Sequence, residues 1–263
     1  MTTVNFLENQ PPTCRFMWVR RIGHSTNHAI ASSANAMNIV PRRAHYHSQP
    51  HPFASSLLPV SMTSLEHHTA RNIVHVQLAQ NVVLKEMTEV ERNALERQLD
   101  IVDGAKGDCL LHQGVHDMAQ YFVLDGVLKR VVSNADAREM ILRFAGERDI
   151  ETSYAAWRLN TPTPYSIVCV TKARVARMPM LQWVEFMNEH PHFKASFEYE
   201  VMRLMSEIMA HTITLHLLDA PGRVRRFIRK HPELADSLPR KELAAYLNLA
   251  PETLSRLKQR GKI

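Results

Sequence analysis

Leu238-Pro-Arg-Lys-Glu-Leu-Ala-Ala-Tyr-Leu-Asn-Leu-Ala-Pro-Glu-Thr-Leu-Ser-Arg-Leu-Lys258 decides how this chain is read. Leu243, Ala244 and Leu247 recur at helical spacing and predict a helix over 241–247. A short turn follows, and Pro251 to Gln259 predicts a second helix. Ala244 is small where two crossing helices must approach closely. Asn248 stands where the turn needs positive φ, which Asn tolerates better than most residues. Leu249 is the expected buried turn residue. Pro251 suits the first helical position, where its missing N–H costs nothing. Leu254 and Leu257 anchor the second helix. Glu252, Thr253, Ser255, Arg256 and Gln259 are left as a polar face. Such a second helix is free to enter a DNA major groove. Glu accepts from cytosine, Arg donates two bonds to guanine, and Ser or Thr binds phosphate. A generic helical hairpin fits the same periodicity.

Charge bears on that choice. Residues 221–263 hold 11 basic and 4 acidic side chains, whereas residues 62–220 hold 16 and 21. A basic tail on a neutral-to-acidic body points to an anionic partner, of which nucleic acid is the commonest. The bland alternative is a solvated basic helix face. Arg223, Arg225 and Arg226 read as packing or phosphate contacts rather than base readers.

Upstream of the tail, residues 180–217 read as helical. A short helix carries Leu181, Val184 and Met187 and stops near His190-Pro191. Phe193, Phe197, Val201, Leu204, Met205, Ile208, Met209, Thr212 and Leu215 then recur at three- and four-residue steps. This stripe predicts a coiled-coil-like dimer seam, the alternative being a helix packed on its own domain. Before it, residues 85–100 read as a short amphipathic helix, with Met87, Val90, Ala94, Leu95 and Leu99 at helical spacing and Thr88 as its cap. Short strands divided by Gly and Asp follow. Cys109–Leu111, Tyr121–Leu124, Val127–Val132, Glu139–Phe144, Ser166–Val170 and Arg174–Met178 read as strands. Val102-Asp103-Gly104 reads as a turn, and Asp125-Gly126 as a hairpin joining the strands on either side. This spacing predicts a small antiparallel barrel or double-sheet roll.

Residues 1–61 differ: they hold 6 of the 14 prolines, five His, five Arg and one acid. They read as a disordered arm, or as translation begun upstream of a true start at Met62. The tract His45-Tyr46-His47-Ser48-Gln49-Pro50-His51 reads as solvated rather than as a metal site. The whole chain of 263 residues is 45% apolar and 22% charged, as in ordinary globular proteins. Cys14, Cys109 and Cys169 are too few and too scattered for a disulfide framework or a four-Cys zinc site. No apolar run approaches the roughly 20 residues that span a bilayer. Expected are cytoplasmic placement, no membrane partner and no enzymatic activity. No nucleophile–base pair, cupin-type His set or phosphate-cradling Gly-rich loop appears.

The order of parts over residues 85–263 resembles the CRP/FNR transcription regulators. The resemblance rests on Gly107-Asp-Cys-Leu-Leu-His-Gln-Gly114, Tyr121-Phe-Val-Leu-Asp-Gly-Val-Leu-Lys129, Arg138-Glu-Met-Ile-Leu142 and Glu252-Thr-Leu-Ser-Arg256. It implies an α+β chain with four parts. These are an arm (1–61), an antiparallel β-roll sensor domain of double-sheet jelly-roll type (62–190), a dimerisation helix (191–218) and a winged-helix-like helix-turn-helix (219–263). It implies a homodimer on near-palindromic double-stranded DNA, with RNA polymerase as a further partner. Glu252 and Arg256 would read bases, and Thr253, Ser255, Lys258, Gln259 and Arg260 would complete the DNA face.

Departures from the family pattern set further expectations. Cyclic-nucleotide-binding members carry Gly-Glu and, further on, Arg-Ser or Arg-Thr. Here Thr152 and Ser153 stand at the first pair, and Thr163-Pro164 about where the second would be. Thr152, Ser153 and Thr163 are thus the candidate effector pocket. Cyclic AMP held in the family manner is not expected, because a buried phosphate would lack its Arg. Three misplaced cysteines do not suit an iron–sulfur cluster. Haem stays open, with His112 and His116 as candidate axial ligands beside purely structural roles for both. Pro251 replaces a family base contact, and Ala250 replaces the usual Ser cap. The sequence ends at Ile263 where the family continues into a β-hairpin wing, so a truncated wing is expected. A sensor or protein-interaction module of the same fold that has lost DNA binding is the alternative function.

Overall fold

The computed structural model describes residues 61–260 apart from Ala137. The expectations of an arm, of the tract at 45–51 and of a truncated wing lie outside the described residues. β1 (Ser61–Ser64), α1 (Arg71–Ala79) and α2 (Glu89–Glu96) lead into β2 (Asp100–Gly104). α2 begins as its sequence predicts. Thr88 Oγ1 accepts from the Glu91 N–H, and the Glu91 carboxylate accepts the Thr88 N–H at 2.8 Å, closing a capping box. Next come β3 (Cys109–Leu111), β4 (Ala119–Asp125), β5 (Leu128–Ser133), β6 (Glu139–Ala145) and β7 (Ile150–Thr152). α3 (Tyr154–Arg158), β8 (Ser166–Cys169) and β9 (Ala173–Pro179) complete the β region.

These strands form two antiparallel sheets, in the orders β1-β2-β9-β4-β7 and β3-β8-β5-β6. Two sequence expectations are corrected here. Val102–Gly104 is not a turn but the end of β2, with Val102 opposite Val175 in β9. Nor do β4 and β5 form a hairpin: β4 pairs with β7 and β9, and β5 with β6 and β8. At Gly126 the chain crosses from one sheet to the other. Its φ is +83°, and a Cβ there would collide with the Lys172 carbonyl, so the crossing needs glycine. A period-2 pattern cannot tell which strand becomes the partner, because both choices bury the same face.

The helical tail is α4 (Met180–Glu189), α5 (Pro191–Leu217), α6 (Ala220–Lys230), α7 (Pro232–Ser237), α8 (Arg240–Tyr246) and α9 (Pro251–Gln259). Three apolar layers hold the parts together. Between the sheets lie Val102, Tyr121, Val123, Leu128, Ile167 and Val175. On the outer face of the first sheet, Phe122, Leu124 and Met178 meet Trp183 of α4 and Phe193, Phe197, Val201 and Leu204 of α5. β4 is therefore covered on both sides, which explains why Ala119 to Leu124 are buried without a break. On the outer face of the second sheet, Val131, Ile141 and Phe144 meet Phe227, Leu234, Tyr246 and Leu247 of the tail.

The long stripe on α5 splits. Its first half, through Leu204, packs on the β region of its own chain, as the alternative reading held. Its second half leaves Met205 and Met209 exposed. Together with Tyr199, Met202, Ile213 and Leu217, they form an exposed apolar row along one side of the helix.

Candidate functional site

α8 and α9 are joined by a tight turn. Asn248 has φ +52°, and the Leu249 N–H donates back to the Ala244 carbonyl at 2.9 Å. Leu243, Ala244, Leu247, Leu254 and Leu257 are buried as expected, and Leu249 is half-buried against them. Pro251 opens α9, and Ala250 supplies no side-chain cap. The buried Leu pair leaves one side of α9 to solvent. Glu252, Arg256, Lys258, Gln259 and Arg260 are exposed, and Thr253 and Ser255 are half-buried. Arg256 Nη2 donates to Thr253 Oγ1 at 3.2 Å, and Ser255 Oγ donates to the Pro251 carbonyl at 3.2 Å. The Arg256 guanidinium keeps its other donors free for an external acceptor.

Inside the β region, Thr152, Ser153 and Thr163 are buried together. Two groups that sequence reasoning missed converge on them. Arg130, on the inward phase of β5, is fully buried and donates to Glu151 through Nε at 3.0 Å and Nη2 at 2.6 Å. Its Nη2 also reaches the Thr152 carbonyl at 3.1 Å, and its plane lies 4.1 Å from the Tyr165 ring centroid. The Tyr165 hydroxyl donates to the same carbonyl at 2.6 Å. Arg143 Nη1 donates to Glu151 at 2.8 Å, and its Nη2 to Asp149 at 3.2 Å. Burial alone would pull the Arg130 pKa down, but Glu151 and Tyr165 carry it above its ordinary value. Burial pushes Asp149 up from the usual carboxylate range, against the pull of Arg143.

Two guanidiniums and two carboxylates leave this network neutral as it stands. With both cations already matched by carboxylates, a buried cyclic phosphate would add an uncompensated negative charge, so the residues present do not fit that group. Arg130 Nη1 and Ser153 Oγ are buried without a hydrogen-bond partner. The signal that could have found Arg130 is its place in Val127-Leu-Lys-Arg-Val131. Two successive charges in an apolar strand put one of them inside.

α8 docks on the second sheet. Tyr246 meets Phe144 with ring centroids 5.1 Å apart, and Lys129 Nζ lies 2.9 Å from Glu242 Oε2. Tyr246 also stacks on His211 of α5, with centroids 3.8 Å apart and planes 2° off parallel. His112 and His116 are exposed; His112 Nδ1 lies 3.4 Å from Cys109 Sγ. Burial pushes the Cys109 thiol up and that of Cys169 up to about 12, so neither is an activated thiolate. Among the described residues no group of three or more His, Cys, Asp or Glu could hold a metal ion. No described helix is long and apolar enough to cross a membrane.

Comparison with known proteins places this geometry. No curated protein matches the chain. Solved structures match its fold. The c-di-GMP responsive global regulator CLP of Xanthomonas campestris is 13% identical, with a TM-score of 0.56 over 66% of this chain and 92% of that one. FixK2 of Bradyrhizobium japonicum is 16% identical, with a TM-score of 0.54 over 61% of this chain and 85% of that one. A putative cAMP-binding regulatory protein from Silicibacter pomeroyi is 24% identical, with a TM-score of 0.51 over 72% and 87%. Residues 102–190 match the family model of the cyclic nucleotide-binding domain, which makes the two-sheet region the part of the chain with a family assignment.

Proposed function

We propose that this protein is a sequence-specific DNA-binding transcription regulator of CRP/FNR type. It acts as a homodimer on a near-palindromic site, under a signal received at the β-roll. α8, the Asn248 turn and α9 are the helix-turn-helix, and α9 is the recognition helix. The observation that carries this reading is the exposed face of α9, whose Glu252 and Arg256 stand ready while Leu254 and Leu257 anchor the opposite side. Glu252 and Arg256 read base edges. Thr253, Ser255, Lys258 and Arg260 position the backbone, and Gln259 completes the DNA face. The exposed apolar row on α5 supports the dimer seam, which sets two recognition helices about one helical turn of DNA apart. CLP is described as a global regulator linked to virulence gene expression, and that description supports the regulator class. RNA polymerase is the proposed partner downstream of DNA. The neutral Arg130–Glu151–Arg143–Asp149 network argues for a signal other than a cyclic nucleotide held by its phosphate.

Selection from a random DNA library tests the reading. Recovery of one palindromic motif is expected. Arg256→Ala should relax preference at one base pair, a loss of about 1–3 kcal/mol of discrimination. No enrichment from the library, with the dimer intact, would favour a sensor module without DNA binding.

A further inference from the structure

Behind the stacked rings of His211 and Tyr246 lies a notch of about 20 Å³ between α5, α6 and α8. Its charged side chains are Arg223, Arg226 and Lys230, with the rings of His211 and His231 beside them, and none of the described carboxylates lines it. Arg223 is engaged, donating through Nε to the Leu218 carbonyl at 2.9 Å and through Nη1 to that of Leu247 at 3.2 Å. Arg226 is half-buried and makes no hydrogen bond or ion pair with a described residue. Among the described residues Lys230 Nζ meets only Glu207, at 3.7 Å, and that carboxylate is already bonded by Arg203 Nη1 at 2.7 Å. His211 Nε2 is buried without a partner. Arg226 and Lys230 therefore keep unspent donors beside the buried Nε2 of His211, where the notch opens. The notch adjoins a larger cleft of about 780 Å³, sharing Phe227, Lys230, His231 and Tyr246 with it. Phe144, Ile208 and Leu234 give that cleft apolar walls. A volume of this order is typical of small-molecule sites.

We infer that the junction of α5, α6 and α8 binds a phosphate-class oxyanion where the notch opens into the cleft, with its oxygens on Arg226 and Lys230 beside the His211 ring and any organic body in the adjoining cleft. The oxyanion is either free inorganic phosphate or the phosphoryl end of a small phosphomonoester. This site lies outside the two-sheet interior and does not depend on the DNA reading. Arg223, Arg226 and Lys230 repel one another there; burial first, and then Lys230, His231 and Arg226, hold the His211 pKa down. An oxyanion relieves that repulsion and braces the basic helix α6 against α5. DNA phosphate is the rival occupant, because Arg223 and Arg226 also belong to the basic tail. The half-burial of Arg226 against α5 and α8 favours the small ion.

The test uses the full chain with ¹³C-labelled histidine, at constant ionic strength held with gluconate. The His211 ring signal is assigned by its loss in His211→Asn. Inorganic phosphate should shift that signal saturably, in the millimolar range or tighter. Arg226→Gln and Lys230→Gln should each weaken the response at least several-fold while unfolding at the wild-type temperature. Phenyl phosphate is the second arm. Tighter binding than inorganic phosphate identifies a phosphomonoester as the natural class, and equal binding identifies the free ion. Either result supports the site. Absence of any saturable shift with both probes overturns it. So does an unchanged phosphate response in Arg226→Gln and Lys230→Gln, above all where those variants weaken DNA binding uniformly across sequences.

Discussion

Replacing Glu151 by Gln removes one charge from the interior and nothing from the volume. Glu151 and Arg130 are both fully buried. The carboxylate takes three guanidinium donors, at 2.6 and 3.0 Å from Arg130 and 2.8 Å from Arg143. Arg143 retains Asp149, at 3.2 Å. Arg130 retains only the Thr152 carbonyl and the Tyr165 ring. A carboxamide keeps one acceptor and turns its NH₂ toward a cation. The loss is that of breaking a buried pair on one side, about 3–5 kcal/mol. The double variant Arg130→Met/Glu151→Leu strands no charge on this pair and should lie within about 1–2 kcal/mol of wild type. Urea unfolding, read by tryptophan fluorescence to which buried Trp183 contributes, at fixed protein concentration, measures both. A Glu151→Gln loss below about 1 kcal/mol would refute the reasoning. It would mean that Arg130 finds solvent or another anion.

Three other outcomes are expected. Burial holds the His211 pKa down at about 4, so the fold favours its neutral ring. That stability is present above the unfolded value near 6.5 and is lost as pH falls through about 4. Partial exposure of the ring cuts the effect to about 1–2 kcal/mol, read as the difference between wild type and His211→Asn across that window. Asn248→Val should cost about 1–2 kcal/mol and Asn248→Gly should be close to neutral in thermal unfolding, because φ is +52° there. Met209→Glu, at a site 65% exposed, should leave the monomer folded and weaken self-association in sedimentation equilibrium, with no change expected only if α5 is not the seam.

Much of the local structure is legible in the sequence because its signals are local. Thr88 and Glu91 announce the start of α2, Pro191 the start of α5, and Asn248-Leu-Ala-Pro251 the turn before α9. Each acts through its own backbone within a few residues, so no distant partner is needed. The polar residues of α9 could be named for the same reason, since helical period alone separates them from Leu254 and Leu257.

Tertiary structure decided everything that depends on two distant segments meeting. The apolar run Tyr121–Leu124 of β4 is the same whether β5 or β9 lies beside it, and only closure of two sheets selects β9. The α5 stripe is one continuous pattern in sequence, yet Phe193 to Leu204 are spent on the first sheet and Met209 is not. Arg130, Glu151 and Arg143 come from separate strands and neutralise one another only when the sheets pack. Tyr246, a seemingly ordinary residue of α8, is placed between Phe144 and His211 by a contact that spans a hundred residues of chain to β6. A side chain's propensity is written in its neighbours along the chain; its partner is chosen by which faces must be kept from water.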